Sequence, residues 1–218
     1  MTLAARRGFV LPTIAVLLCG LPLSMSSGEE SFNRSVIVLS PDEADGRLVA
    51  TREAIAFWNQ TLSDLNVRTR LLEPEIIVAS PISRSLETFA QLISQSGGRV
   101  PKGSAGPKQP VGLAELPGDI VVLLSRQPIQ SFAWPIAGRG RYLLAIKTDR
   151  VPPLNASGVS RNVIAHEFGH TLGLIHNGNP TTLMCGPCDS GVFKSDEPPF
   201  LPLTSQDRAR LLELDPPQ

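Results

Sequence analysis

The chain has 218 residues, 20 of them basic and 20 acidic, with a formal net charge of zero and only three histidines and three cysteines. A neutral balance with no Lys/Arg cluster interleaved with aromatics excludes the electrostatic footprint of a nucleic-acid binder. About 190 residues follow an apolar leader, enough for one core that buries roughly 70% of the unfolded surface but not for a second independent domain.

In chain order, Arg6 and Arg7, the apolar run from Phe9 to Leu23 and the small residues around Ser24 and Ser26 come first. That order reads as a secretory signal peptide over residues 1–27, leaving 28–218 as the mature domain. The run is about 15 residues long and contains Pro12, short of the ~20 that span a bilayer, so no membrane span is expected after removal of the leader. The expected location is a periplasm or the cell exterior. Cys19 leaves with the leader, and Cys185 and Cys188 remain as an even pair for which a disulfide is the expectation in an oxidising compartment.

"SVIVLS" (35–40) reads as a strand, and "GRLVATREAIAFWNQTL" as an amphipathic helix with Leu48, Ile55, Trp58 and Leu62 near helical spacing. "VRTRLL" and "EIIVAS" are further strands. "SRSLETFAQLIS" is a helix with Leu86, Phe89, Leu92 and Ile93 on one face. From Ser96 to Gly118 the composition turns to Gly, Pro, Ser and Lys, which marks a long surface loop. "DIVVLLS" (119–125) and "RYLLAIKT" (141–148) are buried strands, and the Pro- and Gly-punctuated "PIQSFAWPIAGRG" between them places any strand there at a sheet edge. "SRNVIAHEFGHTLGL" reads as a helix with Ser160 as N-cap. "LTSQDRARLLEL" (203–214) is the last helix, opened by a capping-box pattern from Thr204 to Asp207. The sum is an α/β fold: a twisted mixed sheet with helices packed on one side of it and a small irregular C-terminal lobe after Gly173.

All three histidines fall within "HEFGHTLGLIH", residues 166–176. Three histidines scattered at random would take this spacing on the order of once in ten thousand sequences, so the pattern calls for a chemical reason. On a helix, His166 and His170 project from one face a turn apart and can offer two imidazole nitrogens to one ion. Glu167, on the adjoining face, can reach a water on that ion without ligating it. Gly173 can take a positive φ and stop the helix, so that His176 swings back as the third ligand. Three neutral imidazoles leave the fourth position of a tetrahedral zinc ion for water.

These residues resemble the zinc signature of the metzincin metalloproteases. Met184, eight residues past His176, matches the spacing of the matrixin branch, and the closing helix "LTSQDRARLLEL" and the strand "DIVVLLS" are similar to elements of that branch. The resemblance is concentrated in about residues 160–185. It implies a zinc cleft between a sheet lobe and a C-terminal lobe, one catalytic zinc on His166, His170 and His176, and Met184 as a structural floor beneath the imidazoles. It also implies a protein or peptide substrate laid along an edge strand, for which "SFAWPIA" (131–137) is the candidate; Trp134 can shape the cleft, although an aromatic at a strand position more often belongs to the core. A monomer is expected. The implied activity is zinc-dependent endopeptidase action with Glu167 as general base. Matrixins carry a proline and a tyrosine after the methionine, where this chain has Gly186 and Cys188, so the family's side-chain specificity does not transfer. No cysteine lies between Cys19 and Cys185, so latency through a propeptide cysteine is not expected.

Two rival readings have their own signals. "CGPC" (185–188) is the tetrapeptide of thioredoxins, but that chemistry needs the first cysteine at a helix N-terminus in a βαβ setting. A zinc-containing peptide-recognition module without proteolysis is the second rival, and Glu167 argues against it.

Overall fold

The computed structural model describes residues 32–97, 106–138, 140–152, 155–188 and 199–214. The expected signal peptide lies outside them. Among the described residues, no helix is long and apolar enough to cross a membrane. The elements are β1 (Asn33–Arg34), β2 (Val36–Ser40), α1 (Arg47–Asp64), β3 (Arg70–Leu71), β4 (Glu75–Val78), α2 (Ser83–Gln95), α3 (Val111–Glu115), β5 (Ile120–Leu124), β6 (Phe132–Pro135), β7 (Tyr142–Ile146), α4 (Ser157–Thr171) and α5 (Ser205–Leu214).

The main sheet has the order β4-β2-β5-β7-β6. Its pairs are parallel except the last, where β6 runs antiparallel to β7 at the edge. This is the mixed α/β architecture expected, with the Pro-punctuated segment at the sheet margin. β1 and β3 form a separate parallel pair.

Strands β2 and β5 are apolar at nearly every position because both faces of the sheet are covered. Alternate residues diverge: Val36, Val38, Ile120, Val122, Leu124, Leu144 and Ile146 enter the core shared with α1 and α4. Their neighbours Ile37, Leu39, Val121, Leu123, Leu143 and Ala145 enter a second core with Leu86, Phe89, Ala90 and Ile93 of α2 and Leu113 of α3. Helices therefore lie on both faces, and the expectation of one covered side is corrected. A continuous apolar run buries either face equally well, so it does not reveal how many faces have helices.

Three further expectations change. Leu92 falls beside the apolar stripe of α2 and is 51% exposed. The 96–118 loop contains α3, which forms because Leu113 has a core to enter and is 1% exposed. α4 begins at Ser157, with Ala156 in extended conformation at its N-cap and no side-chain cap bond. Ser160 is not the cap but a buried residue of the first turns, its N–H bonded to the Ala156 carbonyl at 3.0 Å.

α1 and α4 pack against each other beneath the site. Trp58 is fully buried between them, and its indole N–H donates to the Ala165 carbonyl at 2.8 Å. That bond satisfies the one polar atom of the largest core side chain. It also fixes α4, and with it the helix that carries two of the histidines.

Candidate metal centre

His166 and His170 sit one turn apart on α4. Each ring is oriented by a backbone carbonyl: His166 Nδ1 donates to Leu183 O at 2.6 Å, and His170 Nδ1 donates to Leu174 O at 2.9 Å. A carbonyl oxygen can only accept, so in each ring Nδ1 carries the proton and Nε2 presents a lone pair. Both carbonyls come from the segment that follows α4, so the C-terminal lobe sets the tautomers of the helical histidines.

The helix stops where the sequence predicts. Gly173 has φ 84°, the Leu174 N–H bonds to Gly169 O (3.0 Å) and the Gly173 N–H to His170 O (3.0 Å). These are the two bonds of a Schellman cap, which needs a residue comfortable at positive φ. The chain then turns back. The Asn177 N–H donates to Met184 O at 2.7 Å, and the Gly186 N–H donates to Asn177 O at 3.0 Å. Thus the residue after His176 is zipped to the strip 184–186, and the His176 ring lies against the backbone of Gly186. A Cβ at Gly186 would fall 2.6 Å from His176 Cγ and 2.7 Å from its Nδ1.

The three Nε2 atoms form a nearly equilateral triangle with sides of 3.1, 3.1 and 3.2 Å. The point equidistant from them in their plane is about 1.8 Å from each, which is the side divided by √3. A zinc–imidazole bond is about 2.0–2.1 Å, so the three nitrogens are close enough together for all of them to hold one ion. Three converging lone pairs repel one another unless a cation lies between them, and a group of this kind could hold a metal ion. Protonation is disfavoured at all three rings. Burial, then the neighbouring His170, lowers His166 to about 4. Burial lowers His170 and His176 as well. The neutral imidazole so favoured is the form that ligates metal.

The triangle lies in an open cleft of about 950 Å³ that also receives Glu167, Ala133, Val163, Leu174 and Ile175. Glu167 is 6% exposed, and burial raises its carboxyl to about 8, with the Ala133 backbone amide acting in the opposite direction. β6 therefore approaches α4 on the side of the glutamate. On the same strand Phe132 and Trp134 belong to the opposite core, with their rings edge-on at 6.4 Å. Strand alternation turns Trp134 away from the histidines and against the second core, the more common of the two places the sequence leaves open for it.

Met184 is fully buried. It packs on α4 where Gly169 leaves room, since a Cβ there would lie 2.5 Å from Met184 Sδ and 3.0 Å from Trp58 Cζ2. Cys185 and Cys188 are joined by a disulfide, Cα–Cα 4.9 Å, in a stretch where no helix begins. The helix N-terminus that thioredoxin chemistry requires at the first cysteine is thus missing here. Gly169 and Gly186 are site residues that sequence reasoning did not single out for this role. The only signal for either was a glycine inside or just after the motif.

No family model and no curated protein matches the sequence. Solved structures do match in chain course. The archaemetzincin of Methanopyrus kandleri is 15% identical over 86% of this chain and 98% of that one, with a TM-score of 0.47. Metalloproteinase-II of Bacteroides fragilis is 14% identical over 85% of this chain and 54% of that one, with a TM-score of 0.49, so this chain spans about half its length. A zinc-dependent peptidase of Methanocorpusculum labreanum is 13% identical over 81% of this chain and 98% of that one, with a TM-score of 0.37.

Proposed function

We propose that the chain is an exported, monomeric, zinc-dependent endopeptidase of the metzincin type, matrixin-like in the placement of Met184. The observation that carries this reading is the convergence of three neutral imidazole Nε2 atoms to 3.1–3.2 Å of one another, in an open cleft that also receives a buried glutamate. His166, His170 and His176 are the residues that hold the ion. Zinc bound there supplies Lewis acidity and lowers the pKa of its water towards ~7.

Glu167 is the general base. It accepts a proton from the attacking water and returns it to the departing amine. In the metal-free chain burial favours the protonated carboxyl up to about pH 8, and a cation at the imidazoles favours the ionised, proton-accepting form. Substrate lies extended along the outer edge of β6, which pairs only with β7 among the described residues. The unpaired main-chain groups of that edge can hold a peptide backbone without regard to its side chains. Export is supported by the leader pattern and by the Cys185–Cys188 disulfide, a bond at home in oxidising compartments.

The test is metal analysis and quenched-peptide hydrolysis on the mature chain beside Glu167→Ala. About one zinc per chain is expected in both, with turnover in the variant lower by about 10²–10⁴-fold. Zinc in both with turnover in neither would move the reading to a zinc-containing recognition module. Absence of zinc from both would overturn the metal centre.

A further inference from the structure

Two of the three imidazoles are carried by a helix, but the third hangs on the short segment from Gly173 to Asn177. Both ends of that segment are held by α5. At one end Arg210 Nε donates to Gly173 O at 2.8 Å. At the other, Asn177 Nδ2 donates to Asp207 Oδ2 at 3.0 Å. Asp207 and Arg210 are three residues apart, so they lie on one face of α5. The Asn177 amide is held at both ends: its oxygen accepts from the Asn179 N–H and from Thr182 Oγ1, each at 3.0 Å. Its orientation is therefore fixed, with the amino group turned to Asp207. Asp207 is 5% exposed, and the same carboxylate oxygen accepts the Thr204 N–H at 2.9 Å in the capping box of α5. Thr204 Oγ1 completes the box by accepting the Asp207 N–H at 3.1 Å.

We propose that Asp207 is a positioning residue for the metal centre: through Asn177 it holds the backbone that aims His176 Nε2 at His166 and His170. The inference rests on reading the three imidazoles as metal ligands. A hydrogen bond to an ionised carboxylate is stronger than a neutral one, and a largely buried one is poorly screened. Without it the segment keeps its Gly173 anchor and the bonds of Asn177 to Met184, Gly186 and Thr182, but loses its tie to α5 beside the ligand. Residues that orient ligands from the outer shell typically change metal affinity by about 10- to 100-fold.

The experiment compares zinc affinity, by competition with a chromogenic chelator, and the visible spectrum of the Co²⁺ form across variants of the mature chain. The melting of each metal-free variant is followed alongside. Asp207→Ala and Asn177→Ala are each expected to weaken zinc binding by about 10- to 100-fold and to reduce the cobalt band. Their losses are less than additive when combined, because the Asn177–Asp207 bond is common to both. Asp207→Asn restores most of the affinity, since an amide oxygen can still accept both hydrogen bonds. Thr204→Val removes the cap hydroxyl and lowers melting, yet leaves zinc affinity at the parent's value. Asn177→Ala leaves the helix cap intact, and Thr182→Val, which removes a partner of Asn177 Oδ1 and is expected to keep parent-like affinity, separates that bond from the one to Asp207. Together they decide the matter if Asp207→Ala does not fold. Parent-like affinity in Asn177→Ala, or a loss in Thr204→Val equal to that in Asp207→Ala, would reduce Asp207 to a helix cap and overturn the proposal alone. A parent that takes up no zinc would overturn the metal reading and this one with it.

Discussion

His176 occupies the space that a side chain at residue 186 would need: a Cβ built on Gly186 meets three atoms of His176, the nearest being Cγ at 2.6 Å. The contact is between a ring and backbone, so it cannot be relieved by a rotamer change at residue 186. Gly186→Ala must displace the ring and pull Nε2 out of the 3.1 Å triangle. The expected result is a loss of about 10-fold or more in zinc affinity, comparable to loss of a ligand-orienting group. Folding of the metal-free chain should change little. Chelator competition and melting, measured together, check both parts.

Gly169 makes the matching prediction on the helix side. Glycine inside a helix costs roughly 0.5–1 kcal/mol relative to alanine, so Gly169→Ala would ordinarily stabilise α4. Here the added methyl meets Met184 Sδ at 2.5 Å and Trp58 Cζ2 at 3.0 Å, both fully buried. Overpacking of about 1–3 kcal/mol outweighs the helix gain. Denaturant melts should therefore show Gly169→Ala less stable than the parent. Met184→Ala opens a cavity costing about 2–5 kcal/mol, and the new methyl fills part of it. The double variant is thus expected to lose less than the sum of the two singles, and strict additivity would show that the two residues do not share the space.

What the sequence made legible follows from the range of the interaction involved. Histidine spacing, the glycine stop and the apolar strands are local patterns, and the structure contains the corresponding helix, cap and sheet. The both-sided sheet is not local: Val36 and Ile37 look alike in sequence and enter different cores. For Trp134 the sequence leaves cleft and core both open until the register of β6 on β7, with Trp134 opposite Leu143, sets which way it points. Asp207 is legible as half of a capping box, but its bond to Asn177 spans 30 residues and depends on where α5 docks. Gly186 is visible as a departure from the matrixin pattern that the histidine motif resembles. Its meaning appears only when His176 is seen against it.

The disulfide yields a prediction that separates protease from oxidoreductase. Cys185 is 1% exposed, which leaves one of the two sulfurs poorly reachable by an attacking thiolate. The pair closes a very short loop, with a sequence separation of 3, for which chain entropy gives about 2 kcal/mol. Changing both cysteines to serine should lower stability by about that amount while peptide hydrolysis persists. Thiol–disulfide exchange by the parent that survives zinc removal would reinstate the CGPC reading.

The buried ionisable groups of the site give the metal-free chain a pH signature in two parts. His166 titrates at about 4 when folded against an ordinary 6.5. Between those values the unfolded chain holds more protons, so this group makes stability rise with pH up to about 6.5 and adds no slope above it. Glu167 is raised from 4.5 to about 8. Between those values the folded chain holds more protons, so its contribution is fully present below 4.5 and is lost as pH rises through 8. His170 and His176, also lowered by burial, act in the same direction as His166, so from 4.5 to 6.5 the histidine slopes oppose that of Glu167, and above 6.5 only that of Glu167 remains. Melting of the chelated parent should therefore fall from pH 6.5 to 9, by on the order of 2 kcal/mol. Chelated Glu167→Gln should rise in stability to pH 6.5 and then stay level, because only the histidine slope is left. Zinc should flatten the parent's upper limb, since a cation beside the glutamate favours its ionised form in the folded state. An upper limb equally steep in Glu167→Gln would show that some other group carries it, and that the burial of Glu167 is not what sets the alkaline limit.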